Sequence, residues 1–418
     1  MKKLLFPILI ISHLTGLSQA CLYDYIVQKK SNTDDIKNYE KIYDLANNRL
    51  SSSTETYYIP VVFHILYNTD SQNIPDSVIY SQIDVLNEDY RRLNENASET
   101  REEFLEFAGD ANIEFFLANV DPNGNPTNGI IHKYTDRTEF NMFDDLTDIL
   151  NNELSIDEVK SSSNGGSDAW NTNLYLNIWV CNIGSLDFAG FELGQVFGYA
   201  YPPTNIDEAI ANLESGPDWP VDMLTDDEDL QGVVIHYTTV GRNNPSASED
   251  NMNENNLGRT AVHEIGHYLG LRHIWGDANA LFGGNDGCSL DDGIIDTPNA
   301  ADQAGYVCNL NKNTCDGDNF GSSGEDLPDM VENFMDYSPD ACLNIFTNGQ
   351  INVMRNVLEI SRNDLINENS SLHIKEKHPS QKELIQNIDL LGRNIQSKGI
   401  NIKIYSDGSV EKHLVDPY

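Results

Sequence analysis

The stretch at 263–273 constrains the fold more than any other, and it reads His-Glu-Ile-Gly-His-Tyr-Leu-Gly-Leu-Arg-His. His263 and His267 are four positions apart, so on a helix their rings project from one face. Gly270 can adopt the left-handed backbone that ends a helix, and the turn then brings His273 back toward the first two rings. The stretch therefore predicts a helix, a sharp turn and three imidazoles directed at one metal ion.

Glu264 suits this arrangement to hydrolysis. Its carboxylate lies beside the first ligand, within reach of a water at the metal, and can take that water's proton. Three protein ligands leave one position open for water and substrate, as a catalytic zinc requires. A structural zinc would take four protein ligands and would have no use for Glu264, and three unrelated histidines are the remaining alternative. The pattern favours a zinc hydrolase.

The charge of the chain excludes one class of partner. Its 418 residues carry 66 acidic and 26 basic side chains, a formal net charge of −40. Nucleic acid is not expected as a partner, because its phosphates would be repelled. Acidic loops do suit hard cations such as calcium.

The N-terminus indicates export. Lys2 and Lys3 precede a mostly apolar stretch at 4–17, and small residues stand at the end of Ser18-Gln19-Ala20. This is typical of a signal peptide over residues 1–20. A membrane anchor is the alternative, but the apolar stretch is short, and no other segment is expected to span a membrane. We expect a protein that is secreted or held at the cell surface.

The order of the predicted elements indicates an α/β (α+β) catalytic domain of two lobes. Apolar and β-branched patterns predict strands at 57–67, 113–120, 174–183, 197–201 and 232–240, and helices at 78–93, 259–269 and 346–360. Residues 21–55 show little apolar periodicity and are interpreted as a pro-segment or linker. The predicted organisation is a signal peptide (1–20), a pro-segment (21–55), a catalytic domain (56–368) and a small β module (372–418).

Four of the six cysteines, Cys288, Cys308, Cys315 and Cys342, lie after the histidine motif in one stretch of 55 residues. In an exported protein such clustering predicts disulfides, and a cysteine–zinc site is disfavoured because no CxxC pair is present. Four cysteines allow three pairings, and the sequence alone does not choose between them. Cys181 lies in an apolar strand and is interpreted as a buried thiol.

Beyond the motif, the chain resembles the pappalysin (ulilysin-like) family of metzincin zinc metallopeptidases. The matching stretches are YYIPVVFHILY at 57–67, NLYLNIWVCNIG at 173–184, GRTAVHEIGHYLGLRHIWGD at 258–277, IIDTPN at 294–299 and ENFMDYSPDAC at 332–342. The resemblance implies a twisted, mainly parallel sheet, an active-site helix and an irregular lower lobe. It also implies a monomeric endopeptidase that cleaves extracellular proteins or peptides.

The resemblance also assigns roles to residues after the motif. Met335 would form the Met-turn, an apolar floor under the imidazoles. Tyr337 would stabilise the oxyanion that forms during cleavage. The family pattern implies the disulfides Cys288–Cys315 and Cys308–Cys342. An ordinary core methionine and a packed core tyrosine are the simpler interpretations of Met335 and Tyr337.

Calcium and substrate residues are further expectations. The family holds calcium after the motif, which here points to Asp292 and Thr297, although a solvated acidic loop is the alternative. Substrate is expected to extend along an edge strand of the sheet that contains Gly198, Tyr199 and Ala200. Asp340 is the remaining substrate candidate, and we expect it at the wall of the pocket for the residue after the cut. The simpler interpretation of Asp340 is an acid on the surface.

Two segments outside the catalytic domain carry separate expectations. Metzincins commonly block zinc from the pro-segment, so Cys21 is a candidate latency ligand, with lipidation and an idle thiol as alternatives. The stretches 389–393 and 402–412 resemble a type IX secretion sorting domain, which would make that secretion machinery a partner. A small accessory β module is the alternative.

Two other functions remain open. The chain could be a catalytically silent, metal-containing surface-binding protein, which the presence of Glu264 argues against. It could also be an esterase or amidase that uses the same zinc.

Overall fold

The computed structural model describes residues 19–23, 26–27, 34–51, 53–143, 154–188, 191–205, 228–247, 254–276, 288, 292–317, 326–367, 384–388, 399–405 and 410–415. The chain divides into two units, Met1–Asn369 and Ser370–Tyr418. No helix of the described segments combines the length and the apolar character needed to cross a membrane.

The first unit is built on one sheet. Its strands are β1 (Gln19–Cys21), β2 (Tyr57–Tyr67), β3 (Ile113–Leu117), β4 (Ile130–Tyr134), β5 (Leu176–Cys181), β6 (Leu186–Phe188), β7 (Phe191–Ala200) and β8 (Val233–His236). Their order is β1-β7-β8-β5-β2-β3, with β4 also paired to β2 and β6 to β7. β2 is parallel to β3, β4 and β5, and β5 is parallel to β8, while β7 runs antiparallel to β8. The prediction of a mainly parallel sheet in an α/β domain is confirmed.

β2 lies inside this sheet because its sequence is apolar on both faces. It has the bounds predicted from the sequence, and eight of its consecutive residues are buried. Strands covered on both faces read as continuous β-branched and aromatic runs rather than as alternating ones. β4 was not predicted, because only its first residue, Ile130, is buried and the strand lacks that continuous apolar signal.

Two helices pack together beside the sheet and position the histidine motif. The helices of the first unit are α1 (Asp34–Asn48), α2 (Asp76–Tyr90), α3 (Arg259–Tyr268), α4 (Asn348–Ile360) and α5 (Asn363–Asn367). α2 contacts β3 and α3, and α3 contacts β7 and β8. The buried Tyr90 hydroxyl donates to the Val262 carbonyl at 3.1 Å and so ties α2 to α3. Short 3₁₀ helices are described at Glu95–Glu99, Glu102–Phe104, Ser155–Lys160, Ser162–Asn164, Glu228–Leu230 and Tyr237–Thr239.

Residues 21–55, which show little apolar periodicity in the sequence, contain a helix that was not predicted. Residues 34–48 form α1, which buries Tyr39, Ile42, Tyr43 and Ala46 in the main core. These four residues follow the helical spacing i, i+3, i+4, i+7, which places them on one face. α1 packs against α4.

The segment between the motif and α4 has little regular structure. Disulfides join Cys288 to Cys315 and Cys308 to Cys342, the pairs that the family resemblance implies. Crosslinks of this kind contribute about 2–4 kcal/mol each to stability, chiefly by restricting the unfolded chain. They let a long irregular segment keep one conformation without a helix or strand of its own.

The second unit contains a three-stranded antiparallel sheet. Its strands are β9 (Leu384–Ile388), β10 (Gly399–Tyr405) and β11 (Val410–Val415), in the order β11-β10-β9. Residues 389–393, part of the proposed sorting signature, lie outside the described residues. The sorting-domain assignment stays a prediction.

Candidate metal centre and active site

The three histidines of the motif converge. α3 ends at Tyr268, Gly270 has a left-handed φ of +90°, and the Leu271 amide then donates to the Gly266 carbonyl at 2.9 Å. That turn returns the chain to the helix and places His273 beside the two helical histidines. A Cβ at Gly270 would also lie 2.9 Å from the Val357 side chain, so both backbone angle and space require glycine here.

The donor set fits a zinc ion. The three Nε2 atoms of His263, His267 and His273 lie 3.1–3.2 Å apart in a near-equilateral triangle. Tetrahedral ligands at about 2.0–2.1 Å from zinc stand at roughly such a separation from one another. The Nδ1 of His263 faces the Phe334 carbonyl at 2.8 Å, and that of His267 faces the Leu271 carbonyl at 2.9 Å. These carbonyls accept Nδ1–H, so the Nε2 lone pairs point inward as metal ligation requires.

The charge state of the cluster agrees with this geometry. Burial, followed by the neighbouring His273 and His263, lowers the pKa of His267 well below its ordinary value. The ring is therefore neutral at physiological pH, and a neutral imidazole is the form that binds a metal.

Met335 lies directly beneath the metal-binding helix. It is fully buried, and a Cβ built on Gly266 would lie 2.5 Å from its sulfur. The Met335 amide donates to the Asn333 side chain at 2.9 Å, which fixes the turn. The glycine between the paired histidines thus lets the methionine sulfur approach the helix, as the Met-turn interpretation requires.

Glu264 is buried beside the histidines and touches β7. A Cβ built on Gly198 would lie 2.7 Å from Glu264 Oε1 and 2.8 Å from its Cγ. On its other oxygen, Oε2, Glu264 accepts from the Cys21 thiol at 3.2 Å. The carboxylate therefore sits between the histidine cluster, the backbone of β7 and the N-terminal segment.

Cys21 is part of the same cluster. Its sulfur and the ligand nitrogens of His263, His267 and His273 all lie within 4.8 Å of one another. Among the residues that the structure describes, this is the one grouping of His, Cys, Asp and Glu ligands that could hold an ion. Cys21 occupies the side of the site where a fourth ligand would stand.

Tyr337 borders the site as well. Its ring centre is 4.9 Å from that of His273, and its hydroxyl accepts from the Cys21 amide at 3.0 Å. It also donates to the Cys21 carbonyl at 3.4 Å. The phenol, expected to face the substrate carbonyl, thus faces the backbone of the N-terminal segment here.

The expected substrate strand is longer than predicted and is not at the edge of the sheet. β7 begins at Phe191, and β1 pairs with it in parallel, with the Leu22 amide donating to the Gly198 carbonyl at 3.1 Å. Of the named residues, Gly198 faces Glu264. Tyr199 turns its side chain to the opposite side, where its hydroxyl donates to Asp157 at 2.9 Å, and Ala200 is buried in the main core.

A pocket opens beside Glu264 and is lined by Asp336, Asp340 and Tyr306 among others. The surface interpretation of Asp340 was wrong, since only 2% of the residue is exposed. Its carboxylate accepts from the amides of Leu257 at 2.8 Å and Arg259 at 3.3 Å, where α3 begins. These amides lack partners within the helix, which explains why a carboxylate is buried here.

Burial also raises the pKa of both pocket acids. The pKa of Asp336 rises to about 7 and that of Asp340 to about 6, in each case mainly through desolvation. The amides of Ala304 and Tyr337 donate to Asp336 and oppose part of that rise. The pocket is therefore acidic, and both acids would gain from a cationic occupant.

The calcium candidates lie close together. The buried Asp292 carboxylate accepts from the Thr297 hydroxyl at 2.8 and 2.9 Å and from the Ile294 amide at 2.9 Å. Other acids of this region have cationic partners: Glu332 pairs with Arg101 and Asp329 with Lys312 at 3.3 Å. Those two carboxylates are thus neutralised by the protein, and calcium at Asp292 stays a prediction.

Sequence reasoning missed Asp336 and Tyr306. Asp336 stands inside the recognised NFMDY stretch, so its neighbours Met335 and Tyr337 could have drawn attention to it. Tyr306 lies in a loop without a motif, and only the fold brings it to Tyr337. Cys181 is buried, as expected, and its burial raises its thiol pKa.

The chain is similar in sequence and fold to known metallopeptidases. Residues 238–359 match the peptidase M43 family model, described as pregnancy-associated plasma protein-A. Extracellular metalloproteases of Arthroderma benhamiae and Colletotrichum graminicola are 35% and 36% identical over 126 and 153 residues. These matches cover 30% and 37% of this chain but only 36% and 42% of the relatives, so the chain spans well under half of their length.

Solved structures cover more of the chain. Mature mirolysin of Tannerella forsythia, in complex with a cleaved peptide, is 38% identical, with a TM-score of 0.57. That match covers 77% of this chain and 99% of mature mirolysin. A promirolysin mutant of the same organism is 34% identical, with a TM-score of 0.63, and covers 85% of this chain and 98% of its own. The chain belongs to the pappalysin family, peptidase family M43, of the metzincin metallopeptidases.

Proposed function

We propose that the protein is a secreted zinc-dependent endopeptidase that is made in a latent form. The observation that carries the proposal is the triangle of Nε2 atoms of His263, His267 and His273 with Glu264 beside it. The extracellular metalloproteases among its relatives support the location outside the cell. The mature mirolysin complex with a cleaved peptide supports a peptide substrate.

His263, His267 and His273 would hold the zinc, which supplies Lewis acidity to the scissile carbonyl and lowers the pKa of water to about 7. Glu264 takes the proton of the attacking water and passes it to the leaving amine. Its burial supports this role, because a carboxylate in a site of low dielectric interacts strongly with the proton it carries. The Tyr337 hydroxyl donates a hydrogen bond to the oxyanion.

Gly198 and its neighbours in β7 would bind the substrate backbone. The Leu22 amide already donates to the Gly198 carbonyl, which supports the capacity of β7 to pair with an extended peptide. The absent side chain of Gly198 lets a substrate lie close to Glu264. The residue after the cut would enter the acidic pocket, and Asp336 and Asp340 favour a basic side chain there.

Latency follows from the contacts of the N-terminal segment. The Cys21 thiol reaches Glu264, the Cys21 amide reaches the Tyr337 hydroxyl, and the Leu22 amide reaches the Gly198 carbonyl. The base, the oxyanion donor and the substrate strand are thus all engaged by two consecutive residues. We infer that Cys21 is the latency ligand, because a thiolate is also a good zinc ligand. Signal cleavage before Cys21 and a role of the C-terminal unit in sorting are parts of the same proposal.

Calcium at Asp292 and Thr297 is a secondary proposal. Its support is the pairing of a fully buried carboxylate with a hydroxyl oxygen, and the nearby Asp296 Oδ1, a buried atom that has no hydrogen-bond partner. Burial raises the pKa of Asp296, as expected for a carboxylate whose charge is incompletely compensated. A hard cation would supply that compensation.

The test is cleavage profiling of a mixture of extracellular proteins with activated wild type and Glu264→Ala. We expect new N-termini from the wild type, enriched in Lys or Arg, and none from the variant. Zinc content by elemental analysis should be the same in both, because Glu264 is not a ligand. Equal cleavage by both proteins would contradict the assigned base, and cleavage by neither with zinc bound would favour a silent binding protein.

A further inference from the structure

Tyr306 has an unfavourable backbone and a position at the active site. Its φ is +59°, and Gly305 before it has a φ of +68°. A residue with a large side chain adopts this left-handed conformation only where its surroundings impose it, and such residues concentrate at functional sites. The Tyr306 ring lines the acidic pocket next to Glu264. The left-handed backbone of Tyr306, which is energetically unfavourable, therefore lies at the edge of the proposed catalytic centre.

The contacts of Tyr306 are to Tyr337. Its ring stacks on the Tyr337 ring at a centroid distance of 6.1 Å and an interplanar angle of 25°. Its amide donates to the Tyr337 carbonyl at 2.8 Å. Two residues earlier, the Ala304 amide donates to Asp336 at 3.0 Å. The loop that contains Ala304 and Tyr306 thus contacts two consecutive residues after Met335, namely Asp336 and Tyr337. It contacts Tyr337 through both its backbone and its ring.

Tyr306 contacts the Tyr337 ring from a different part of the chain than Trp275, another neighbour of that ring. Trp275 meets that ring edge-on at 4.9 Å and stacks on His273 at 4.3 Å, so Trp275 links it to a histidine of the metal centre. Tyr306 provides the contact from the loop after the motif, and the disulfide Cys308–Cys342 anchors that loop just beyond it. The Tyr306 ring, inclined by 25° to the Tyr337 ring, thus borders it on the side of this loop.

Tyr306 is unsuited to proton transfer. Burial, then the charges of Cys21, Asp340, Glu264 and Asp336, raises the pKa of its phenol well above the ordinary value. The hydroxyl stays protonated at any pH at which the enzyme works. The contacts through which Tyr306 meets Tyr337 are its ring and its backbone amide.

We propose that Tyr306 is a positioning residue, whose stacked ring and amide hold the Tyr337 ring in place so that, once Cys21 has left, the Tyr337 hydroxyl can meet the oxyanion. The inference rests on the proposed role of Tyr337. It predicts that loss of the Tyr306 ring lowers the rate of the chemical step and leaves nearly unchanged the binding of a substrate with glycine after the cut, which does not fill the acidic pocket. It further predicts that the loss disappears once Tyr337 has no hydroxyl to position.

The experiment is a double-mutant cycle in the full chain, activated by limited proteolysis with an added protease. The variants are Tyr306→Phe, Tyr306→Asn, Tyr337→Phe and the double variant Tyr306→Asn with Tyr337→Phe. Asparagine tolerates the left-handed backbone but has no ring, whereas phenylalanine keeps the ring. Exposed Tyr80, on α2 far along the chain, provides the matched control Tyr80→Ala.

The readouts are kcat and KM for a fluorogenic peptide with glycine after the cut, the dissociation constant of a phosphinic peptide inhibitor with the same residue by calorimetry, and zinc content. We expect Tyr306→Asn to lower kcat about tenfold and to weaken the inhibitor by a similar factor, with KM within about twofold of wild type. Tyr306→Phe and Tyr80→Ala should stay within about twofold of wild type. In the Tyr337→Phe background, Tyr306→Asn should cost less than about a further twofold.

The possible failures can be separated. Unchanged kcat in Tyr337→Phe would refute the oxyanion role and the inference that rests on it. A lowered kcat in Tyr337→Phe, with Tyr306→Asn either silent or fully multiplicative, would overturn the inference and leave the proposed function intact. Should Tyr306→Asn fail to fold by thermal melting, Tyr306→Gly takes its place in the same cycle, since glycine accepts this φ without strain.

Discussion

Replacing Gly198 by alanine tests how closely β7 must approach Glu264. The added Cβ would lie 2.7, 2.8 and 2.9 Å from the Oε1, Cγ and Cδ atoms of Glu264. Ordinary contacts to carbon stand at about 3.5–4.0 Å, so the carboxylate must move by roughly 0.7 Å. Glu264 is only 1% exposed, and this movement would carry its carboxylate out of its present position beside the histidines.

A catalytic group displaced by about 1 Å can cost about 100-fold in rate, or about 2.7 kcal/mol of transition-state stabilisation. We expect Gly198→Ala to lower kcat by roughly 30- to 100-fold, with zinc content unchanged. Overpacking should also lower the free energy of unfolding by about 1–3 kcal/mol. The assay is hydrolysis of a fluorogenic peptide by the activated enzyme, beside thermal unfolding and zinc analysis.

Gly109→Ala is the matched control for this substitution. Its Cβ would meet the Asn348 side chain and would lie 2.6 Å from Ile351 Cδ1, at the start of α4. It should destabilise the fold to a similar extent and leave kcat unchanged. If Gly198→Ala kept more than half of the wild-type kcat, the inferred contact between β7 and the base would not matter for catalysis.

The remaining predictions concern latency, the Met-turn and the pocket. Cys21→Ser should give the unprocessed chain measurable peptidase activity, at least about tenfold above the wild-type zymogen, because serine is a poor zinc ligand; equal latency would exclude the thiol. Gly266→Ala should force Met335 away and lower the unfolding free energy by about 1–3 kcal/mol in thermal melts; an unchanged melting temperature would contradict that contact. Since the pKa of Asp336 is raised to about 7, this carboxylate gains its charge as pH rises through that value. The kcat/KM ratio for lysine over leucine after the cut should therefore rise between about pH 6 and 8, and it should rise less in Asp336→Asn, where Asp340, with a pKa of about 6, still gains charge; an equal rise in wild type and variant would contradict the role of Asp336.

Apolar runs and residue spacing in the sequence predicted the strands and helices whose formation depends on neighbouring residues. β2 and α3 have nearly the bounds expected from apolar runs and from the histidine spacing. α1 could have been predicted too, because Tyr39, Ile42, Tyr43 and Ala46 repeat at helical spacing, but the surrounding polar residues obscured it. Such a helix depends on a partner surface, here α4, to bury its narrow apolar face.

The parts of the site that escaped prediction depend on distant contacts. Asp340 is buried because it accepts amides of Leu257 and Arg259, about 80 positions earlier in the chain. Nothing near Asp340 in the sequence announces that partner, and an isolated acid is ordinarily exposed. Tyr306 likewise matters only because the fold lays its loop against Tyr337. The motif could identify the metal ligands, while the shape of the pocket required the tertiary structure.

If the N-terminal segment confers the latency proposed above, the buried face of α1 would delay activation. Cutting the chain after this helix would not by itself free the catalytic centre, since Tyr39, Ile42, Tyr43 and Ala46 would still be packed in the core. Activation would then proceed in two stages, a scission whose rate depends on protease concentration and a departure whose rate does not. A lag that persists at saturating protease would measure the second stage, and it would give a freshly secreted molecule time to diffuse away from the cell that made it.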